Sequence, residues 1–391
     1  MSTIRSEVAI VRGGLMGCWT AYFLRKRGRK VLVAEKDYIG AQASGVNFGN
    51  ARIQGRYPPQ LPLSLRAHEL WEQIETLIGD RCEFEATGHL RIAFDAKEIA
   101  LLEAYAREAQ PYGLELEIFG RNELKRRWPW LAQATGASWS ARDGTANPRI
   151  AAPAVARAAK ALGAEIVEGM KIAAIERTPS GFRLMTGDGV AIEADQVLNA
   201  AGAWAAEISA SFGEPVPLFA AGPAQFVTEP MPYFIAPSVQ AVDGSIIFRQ
   251  ARRGNVIVAG YPRGASDIAA NRAPVAAPKT VAHMARLIEV VPALAGCHII
   301  RVWSGIEGYL PDMLPVMGPS SDVPGLFHAF GFCGHGFQLA PGVGLVMSEL
   351  LVDGASPTPL EPFSIARFAS STPPAQRLAE EFDGALVRPR G

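Results

Sequence analysis

The N-terminal part of the chain alternates between apolar runs and a helical pattern. Residues 7–11 form a short apolar run, typical of a strand that is buried on both faces. Apolar residues then recur at helical spacing, as at Leu15 and Trp19, and we expect this helix to end near Gly28. A second apolar run follows and ends at Glu35. The pattern predicts a strand–helix–strand unit.

The turn between the first strand and the helix is rich in glycine, with a spacing close to that of a dinucleotide-binding turn. Gly14 would let the backbone approach a pyrophosphate, and Gly17 would let the helix pack closely on the strand. The helix N-terminus adds N–H groups that favour an anion. Glu35 lies about 20 residues downstream, where a carboxylate accepts hydrogen bonds from a ribose without a 2′-phosphate. An ordinary α/β turn without a ligand is the alternative for this segment alone.

Arg12 occupies the position at which this pattern normally has its first glycine. A small residue eases the tight turn, so an arginine adds strain. Its guanidinium could instead fold back over a diphosphate and compensate for that strain. The two effects have opposite signs, and the sequence leaves both open.

The second half of the chain predicts a sheet and a further glycine turn. Residues 216–317 alternate apolar strands with turns, which favours an antiparallel sheet. Within them, residues 245–264 predict a hairpin, in which Arg249 faces either a pocket or a solvated rim. Residues 325–351 contain an apolar strand, a glycine-rich bend and a helix expected to begin near Gln338. That geometry directs backbone N–H groups and a helix N-terminus at whatever lies beyond the bend.

Composition and charge limit the class of partner. The chain has 391 residues, of which 49% are hydrophobic, so it can bury one large core or two moderate ones. Lysine plus arginine equals aspartate plus glutamate at 38 each, and no net field attracts nucleic acid or an anionic membrane. We therefore expect a small-molecule substrate and no nucleic acid partner.

Signals for targeting and for metal binding are missing from the sequence. The residues before the first strand leave no room for a signal peptide, and no apolar run approaches the roughly 20 residues of a membrane span. A cytoplasmic protein is therefore expected. The four cysteines lie far apart without metal-ligand spacing, so we expect reduced thiols and no metal site.

Four segments, in this order, resemble one known family. Residues 40–56 (GAQASGVNFGNARIQGR) form a long turn of small and polar residues, and residues 143–176, 197–208 and 325–351 follow it. Together they resemble the FAD-dependent amino-acid and amine oxidoreductases, the family of D-amino-acid oxidase, glycine oxidase, sarcosine oxidase and the opine and proline or hydroxyproline dehydrogenase subunits. The similarity covers nearly the whole chain and ends with residues 361–368.

The resemblance implies an α/β plus α+β fold. A Rossmann-like FAD-binding domain of the glutathione-reductase type would carry a substrate domain built on an antiparallel sheet. The FAD-binding domain would be discontinuous and comprise residues 1–84, 145–215 and 318–370. Residues 85–144 and 216–317 would form the substrate domain, and residues 371–391 a polar C-terminal tail.

The resemblance also implies FAD as the cofactor. The residues that would contact the flavin diphosphate and the edge of the ring are Ser44, Asn47, Gly49 and Arg52. Ile172 would touch the adenine through its backbone. Relatives with a covalently attached flavin carry a cysteine near the position of Gly305, so the FAD is expected to be noncovalent. The residues expected to bind it are Arg12, Gly13, Gly14, Leu15, Met16, Gly17, Glu35, Lys36, Ser44, Asn47, Gly49, Ile172, Ala201, Gly202, Trp204, Gly305, Gly334, His335, Gly336, Phe337 and Gln338.

The substrate side departs from the family pattern at Glu307. Glycine-oxidase-like relatives carry at this place the arginine that binds the substrate carboxylate. A carboxylate would then need another guanidinium partner, and Arg52, Arg56 and Arg249 are the available ones. Alternatively, Glu307 pairs with a substrate cation, or it is a structural residue paired with Arg301.

The reaction that the resemblance implies is hydride transfer from a carbon bearing nitrogen to flavin N5, which gives an imine that water hydrolyses. Secondary amines such as N-alkyl amino acids, opines or proline derivatives are favoured as substrates. The candidate catalytic residues are His335, Tyr309, Glu307, Arg249 and Arg52. A non-catalytic or cofactor-poor member of a flavoprotein complex and a NAD-dependent dehydrogenase are the alternatives. Partner subunits and a homo-oligomer are both compatible with this reaction.

Overall fold

The computed structural model of the chain describes residues 3–369 and 378–383. Its strands are β1 (Thr3–Val11), β2 (Val31–Ala34), β3 (Asn50–Ala51), β4 (His89–Ala93), β5 (Glu117–Gly120), β6 (Gly136–Ser140), β7 (Gly144–Thr145), β8 (Glu165–Val167), β9 (Ile172–Thr178), β10 (Gly181–Thr186), β11 (Ala191–Asn199), β12 (Phe219–Gly222), β13 (Gln225–Pro230), β14 (Ser238–Ala241), β15 (Ile247–Gln250), β16 (Asn255–Ala259), β17 (Gly264–Ala265), β18 (Ile299–Trp303), β19 (Glu307–Tyr309), β20 (Val316–Pro319) and β21 (Leu326–Phe330). Its α-helices are α1 (Leu15–Lys26), α2 (Ala43–Val46), α3 (Leu61–Glu72), α4 (Ile74–Ile78), α5 (Ala96–Ala109), α6 (Arg121–Arg127), α7 (Pro148–Ala161), α8 (Ala205–Ser211), α9 (Ala277–Val290), α10 (Gly336–Asp353) and α11 (Leu378–Glu381).

The N-terminal strand–helix–strand unit belongs to a mixed sheet, to which eight strands of the described residues contribute. Six of them follow the order β20-β21-β11-β1-β2-β8, and β10 and β9 continue antiparallel from β11. β1 pairs in parallel with both β11 and β2. Val8 and Ile10 lie in one apolar cluster and Ala9 and Val11 in another. Both faces of β1 are therefore buried, which confirms the interpretation of its apolar run.

Helix α1 follows the glycine turn and ends close to the expected position. Gly14 is its N-cap residue, and Arg25 and Lys26 lie in its last turn, where positive charge stabilises the helix dipole. Gly28 adopts a φ of 78°, in the left-handed region that ends a helix. Trp19 is fully buried between this helix and its neighbours.

The long helix α10 packs directly against α1. It begins at Gly336, two residues before the predicted start at Gln338. A Cβ atom at Gly344 would lie 2.4 Å from Cβ of Trp19, so only glycine permits this approach. The starts of the two helices also meet, because a Cβ at Gly336 would lie 2.9 Å from Cε of Met16.

The second large sheet contains eight strands of the described residues in the order β18-β13-β16-β15-β14-β4-β6-β5. The predicted hairpin within residues 245–264 is confirmed as the antiparallel pair β15 and β16. The strands of residues 216–317 pair antiparallel with one another, as expected. The parallel pairing of β14 with β4, which lies outside these residues, was not expected. These two strands lie far apart in the sequence, so no turn between them could reveal their pairing. Phe226, Phe248 and Leu287 are among the fully buried residues of the core beneath this sheet.

Each large sheet draws on separate stretches of chain. The first takes its strands from residues 3–34, 165–199 and 316–330, and the second from residues 89–140 and 225–303. The division into a discontinuous FAD-binding domain and a substrate domain stays a prediction.

The expectation of a polar tail after residue 370 needs correction for residues 378–383. Leu378 and Phe382 are buried in a cluster with Tyr309 and Leu310. The ring centroid of Phe382 lies 4.8 Å from that of Tyr309 in an edge-to-face arrangement. This segment is therefore part of the packed molecule, and the remaining tail positions, 371–377 and 384–391, lie outside the described residues.

Within residues 3–369 and 378–383, no helix has the length and apolar character needed to cross a membrane. The four cysteines, Cys18, Cys82, Cys297 and Cys333, are all buried thiols, in agreement with the expectation.

Candidate functional site

A cavity lies at the carboxyl ends of the parallel strands of the first sheet and extends toward the second sheet. In open parallel sheets, ligands bind in this position because the strands there deliver glycine turns and helix N-termini. Its walls come from the turn after β1, the end of β2, residues 40–50, residues 200–204 and residues 329–337. Strands β13, β15, β16 and β19 supply the opposite side.

The turn after β1 is tight, and Arg12 adopts a φ of 88° in it. A side chain in this left-handed region costs about 1 to 3 kcal/mol, and glycine largely avoids that cost. A Cβ at Gly17 would lie 2.3 Å from the carbonyl oxygen of Arg12, so the helix approaches the turn as closely as the sequence predicted. The N–H of Leu15 at the start of α1 donates to Oγ of Ser44.

Glu35 lies at the end of β2, as the spacing predicted, and its buried carboxylate lines the cavity. The N–H of Gly13 donates to Oε2 at 2.7 Å, and the N–H of Asp37 donates to Oε1 at 2.8 Å. These bonds orient the carboxylate and join the end of β2 to the glycine turn.

The Arg12 side chain lies beside Glu35 and over an aromatic ring. One of its terminal nitrogens is 3.8 Å from Oε1 of Glu35, and the guanidinium carbon is 4.9 Å from the centroid of Trp204. Lys36 lies 4.3 Å from the same ring. Burial lowers the pKa of Arg12, although Glu35 and Asp37 oppose that shift. Two cations thus lie against one ring, and Arg12 and Trp204 line the cavity.

The small-polar segment folds into a compact wall. The side-chain amide of Asn47 donates to the carbonyls of Ala43 and Ser44, and its oxygen accepts from the N–H of Gly49. Gly49 has a φ of 82°, and a Cβ there would lie 2.3 Å from the carbonyl oxygen of Ala146. The sequence of small residues is required because the backbone itself approaches its neighbours.

The C-terminal glycine bend reaches the cavity from the other side. Gly331, Cys333 and Gly334 have φ values of 70°, 52° and 75°, so the chain reverses sharply before α10 begins. His335 is buried at the N-cap position of α10. The bend brings the N-terminus of α10, with its partial positive charge, next to that of α1.

A polar cluster lies on the substrate side and consists of Arg263, Glu307 and Tyr309. The hydroxyl of Tyr309 donates to Oε2 of Glu307. The Arg263 guanidinium lies 5.0 Å from the centroid of the Tyr309 ring and 4.3 Å from that of Tyr261. Arg263 and Glu307 both line the cavity.

Burial and neighbouring charges alter the acid–base behaviour of this cluster. Burial raises the pKa of Glu307, and the Tyr309 hydrogen bond and Arg263 only partly offset that rise. Burial also raises the pKa of Tyr309. Burial alone would lower the pKa of Arg263, but Tyr309, Tyr261, Glu381 and Glu307 raise it above its ordinary value. Arg263 is therefore a permanent cation beside a carboxyl group that protonates readily.

The structure brings most of the predicted site residues to this cavity. Those that line it are Arg12, Gly14, Leu15, Met16, Glu35, Ser44, Asn47, Gly49, Ala201, Gly202, Trp204, Glu307, Gly334, Gly336 and Phe337. Among the described residues, the predicted ones that do not line it are Gly13, Gly17, Lys36, Arg52, Arg249, Ile172, Gly305, Tyr309, His335 and Gln338.

Arg52 and Arg249 do not line this cavity, and their role as substrate-carboxylate partners stays a prediction. The Arg249 guanidinium donates to the carbonyl oxygen of Phe48 at 2.8 Å and borders a second cavity behind that loop, near Arg301. Burial lowers the pKa of Arg249 to about 10. Arg52 donates to the carbonyl oxygen of Gln54 instead. Neighbouring main-chain carbonyls hold both side chains in place.

Packing bears on two further expectations. The side chain of Gln338 is fully buried and bonds to Ser64, with the Ser64 hydroxyl donating to Oε1 at 2.9 Å, so this residue joins α10 to α3. Among the described residues, Glu307 bonds to Tyr309 and not to Arg301, which rules out the structural Arg301 pair.

Arg263 was not identified from the sequence. It follows the hairpin in the motif YPRG and precedes β17, where an arginine next to a turn is usually solvated. Its burial depends on Tyr309 and Glu381, which are remote in sequence. The absence of the expected arginine at position 307 was the one signal that a cation had to come from elsewhere.

Comparison with known proteins decides the family. Residues 7–350 match the family model DAO, described as FAD dependent oxidoreductase. The chain belongs to this family. It is 28% identical to glycine oxidase of Geobacillus kaustophilus (strain HTA426), over 93% of this chain and 98% of that protein. It is 25% identical to one of the subunits of the opine oxidase from Rhizobium meliloti, over 93% and 97% of the two chains.

Solved structures agree with this assignment. The crystal structure of L-proline dehydrogenase from P. horikoshii superposes with a TM-score of 0.88 at 27% identity, and 94% of this chain and 98% of that chain are covered. Several further curated relatives are longer proteins, of which this chain spans 42 to 46%. The chain is accordingly an FAD-dependent amino-acid or amine oxidoreductase with the mixed α/β fold of the DAO family, and the nicotinamide-dependent alternative is set aside.

The residues of this DAO-family chain fit FAD. The N-termini of α1 and α10 meet at the cavity and suit the negative charge of a diphosphate and of a reduced flavin. At Gly14, a Cβ would lie 3.0 Å from Oγ of Ser44 and occupy the space in front of the turn. Glu35 presents a buried, oriented carboxylate of the kind that accepts ribose hydroxyls.

Proposed function

We propose that this protein oxidises the C–N bond of an amino acid or secondary amine that also carries an anionic group. The observation that carries this proposal is the polar cluster, in which the Arg263 guanidinium and the Glu307 carboxyl group line the same end of the cavity. We further propose that the cofactor is noncovalent FAD on a Rossmann-like domain of the glutathione-reductase type.

Arg263 is the group that we assign to the anionic end of the substrate. Its terminal nitrogen Nη1 bonds to Glu381 at 2.6 Å. Its Nε is buried and makes no hydrogen bond within the described residues, and Nη2 has one long contact, 3.3 Å, to the Tyr261 hydroxyl. The Nε–Nη2 edge of a guanidinium matches the two oxygens of a carboxylate.

Glu307 is the group that we assign to the amine. The Tyr309 hydroxyl donates to Oε2 of Glu307, and Oε1 of Glu307 makes no hydrogen bond to any described residue. A substrate ammonium at Oε1 would stabilise the carboxylate form and counteract the effect of burial on the pKa of Glu307. The carboxylate can take one proton from the ammonium, which leaves the amine neutral for oxidation. Once that positive charge is gone, burial again favours the protonated form of Glu307.

FAD, when bound, supplies the hydride acceptor for this reaction. The contribution of the chain is to position the substrate between Arg263 and Glu307, to exclude water and to hold a proton on Glu307. Glutamate in place of the family's arginine at position 307 agrees with a substrate whose amine, and not its carboxylate, meets that strand. N-alkyl amino acids, opines and proline derivatives have this arrangement of groups.

The likeness to one of the opine oxidase subunits supports a protein that works with partner chains, and a homo-oligomer is the other arrangement that we propose. Size-exclusion chromatography with light scattering on the purified chain separates these cases, because only a homo-oligomer forms without a second chain.

The experiment that tests the function is anaerobic reduction of the purified flavoprotein. Amino acids, N-methyl amino acids, proline derivatives and opines are each added together with the matching amine that lacks the carboxylate. At least one carboxylate-bearing amine should bleach the flavin absorption, and its decarboxylated counterpart should do so at least tenfold more slowly, as expected for the loss of a charged hydrogen bond. Bleaching by nicotinamide cofactors alone, or equal rates within every pair, would contradict the proposal.

The variant Arg263→Met, which keeps an unbranched apolar side chain but removes the guanidinium, should abolish this preference within each pair. The control is Arg249→Met, which removes a buried arginine that does not border this cavity.

A further inference from the structure

The C-terminal segment 378–383 contacts the residue that we assign to the substrate's anionic group. The N–H of Arg263 donates to the carbonyl of Glu381, and the N–H of Asp383 donates to the carbonyl of Arg263. Phe382 forms an isolated bridge with Arg263 and packs edge-to-face on Tyr309 and Phe219. The segment is thus an added strand-like edge along the wall of the cavity.

The segment also supplies a charge. Oε2 of Glu381 lies 2.6 Å from Nη1 of Arg263, and both side chains are about 7% exposed. Buried ion pairs at this distance interact strongly because water does not screen them. Asp383, two residues on, pairs with Lys279 at 2.8 Å and contacts Arg263 only through its backbone.

We infer that Glu381 is the resident counter-ion of Arg263 and thereby determines how strongly the site binds an anionic substrate group. The inference rests on the proposed function, since it takes Arg263 as the anion partner. Glu381 occupies Nη1 and leaves the Nε–Nη2 edge to the substrate. One guanidinium therefore serves two carboxylates, one from the chain's own C-terminal segment and one from the ligand.

The consequence is a limited affinity for the anionic group. A substrate carboxylate that binds Arg263 meets the repulsion of Glu381 across the guanidinium, and that of Glu307 when it is ionised. The resident carboxylate also stabilises the buried cation when no substrate is bound. Glu381 is thus a specificity-determining residue that contacts the substrate only through Arg263.

The variant Glu381→Gln removes the negative charge at this position but leaves the C-terminal segment in place. Glutamine keeps the length of the side chain and an oxygen that accepts from Nη1, and the two backbone hydrogen bonds and Phe382 keep the segment in place. The probe is binding of two simple carboxylates, acetate and propionate, to the FAD-loaded protein. Isothermal titration calorimetry and the shift of flavin absorption both report this binding without turnover.

We expect Glu381→Gln to bind these carboxylates about tenfold more tightly than the wild type, because one unscreened negative charge is removed. Glu381→Ala should change affinity in the same direction and serves as the second variant if the first does not retain FAD. The matched control Asp383→Asn removes a charge from the same segment and should leave carboxylate affinity unchanged.

A double-mutant cycle tests whether Glu381 changes carboxylate affinity through Arg263. In the Arg263→Met background, carboxylate binding should be lost and Glu381→Gln should restore none of it. Equal or weaker carboxylate affinity in Glu381→Gln and Glu381→Ala would overturn the inference. That outcome leaves the proposed function intact if carboxylate-bearing amines still bleach the flavin, whereas failure of all amines to do so refutes the function itself.

Discussion

Arg12 combines an unfavourable backbone conformation with favourable side-chain contacts at the cavity. Its φ of 88° places a bulky side chain where the turn favours glycine. The same side chain reaches Glu35 and Trp204 and brings positive charge to the cavity. The positive φ that the sequence associated with strain is therefore present, whereas a contact between the guanidinium and a diphosphate stays a prediction.

Replacement of Arg12 can separate strain from charge. Arg12→Gly and Arg12→Ala both remove the guanidinium, but only glycine relaxes the left-handed backbone. We expect the glycine variant to exceed the alanine variant in free energy of unfolding by about 1 kcal/mol, measured by urea denaturation. Both variants should bind FAD with the same reduced affinity. An alanine variant as stable as the glycine variant would show that the turn is not strained.

Glu35 is a second residue with a defined test. Its carboxylate lines the cavity and is oriented by two backbone N–H groups. Glu35→Ala should weaken FAD binding by about 1.5 to 3 kcal/mol in a fluorescence titration, as expected for a charged hydrogen bond. The control is Glu168→Ala, which removes an acceptor of the Ile39 N–H in the same region without bordering the cavity. A larger loss in the control would remove Glu35 from the site.

Gly305 predicts how FAD is held. A Cβ at this position would lie 2.2 Å from Cγ2 of Val46, so the loop has no room for the cysteine of covalent flavoproteins. Acid precipitation should release all of the yellow colour into the supernatant, as read from its absorption spectrum. Colour that remains in the pellet would contradict noncovalent binding and direct attention to Cys333, the thiol that lines the cavity.

At the scale of elements, local sequence patterns predicted the contiguous units of secondary structure, but they did not predict the pairings between segments remote in sequence. The unit β1–α1–β2 and the hairpin β15–β16 are contiguous, so periodicity and turn residues specify them. The parallel pair β14–β4 and the burial of Arg263 by Glu381 depend on chain segments that meet only in the folded protein. No sequence window contains both partners of such a contact.

The contact between α1 and α10 should be sensitive to a single methyl group. Gly344→Ala would place Cβ 2.4 Å from Trp19 and 2.8 Å from the Thr20 nitrogen, both parts of a buried helix. Overpacking of this kind costs about 1 to 3 kcal/mol. We expect a lower melting temperature and faster loss of FAD in dialysis, because these helices begin at the cavity.

Gly296→Ala is the matched control for this change, since a Cβ there meets nothing within 4 Å. Equal melting temperatures for the two variants would mean that α1 and α10 accommodate the added methyl group without a loss of folding free energy.

At the scale of the whole molecule, Glu214 couples distant parts of the first sheet. Oε2 of Glu214 accepts from Oγ of Ser320 at 2.6 Å and contacts Nε2 of His328 at 3.2 Å, and Oε1 accepts from the N–H of Ser321. Burial alone would raise the pKa of Glu214, but these hydrogen bonds together lower it to about 2. The carboxylate form therefore stabilises the folded protein.

The lowered pKa of Glu214 determines the pH range in which its carboxylate stabilises the folded protein. The pKa of an unfolded glutamate is about 4.3, so the stabilisation is complete above that pH and is lost as the pH falls toward about 2. Glu214→Gln should lower the free energy of unfolding by about 1 kcal/mol at pH 7, after allowance for solvent screening, and by less at pH 3. Urea denaturation at both pH values measures the difference. The exposed Glu176→Gln is the control, and an effect of Glu214→Gln that grows in acid would contradict the assignment.

The fold class and most of the cavity wall could be predicted from the sequence because glycine turns and strand ends are local features. The substrate side could not, since its charge balance depends on Arg263, Glu307 and Glu381, which come from three separate regions. The departure at position 307 revealed that an arginine was missing, but only the tertiary structure reveals the replacement.

The pairing order of the first sheet has a consequence for biosynthesis. Thr3 pairs with Ala191, and Val197 pairs with Leu326, so the middle of this sheet cannot close until the ribosome has released most of the polypeptide. Contacts of such long range slow folding, because loop-closure entropy is lost before the contacts form. The nascent chain should therefore acquire its flavin only after β21 has left the ribosome, and until then the unpaired edges of β1 and β11 are open to aggregation.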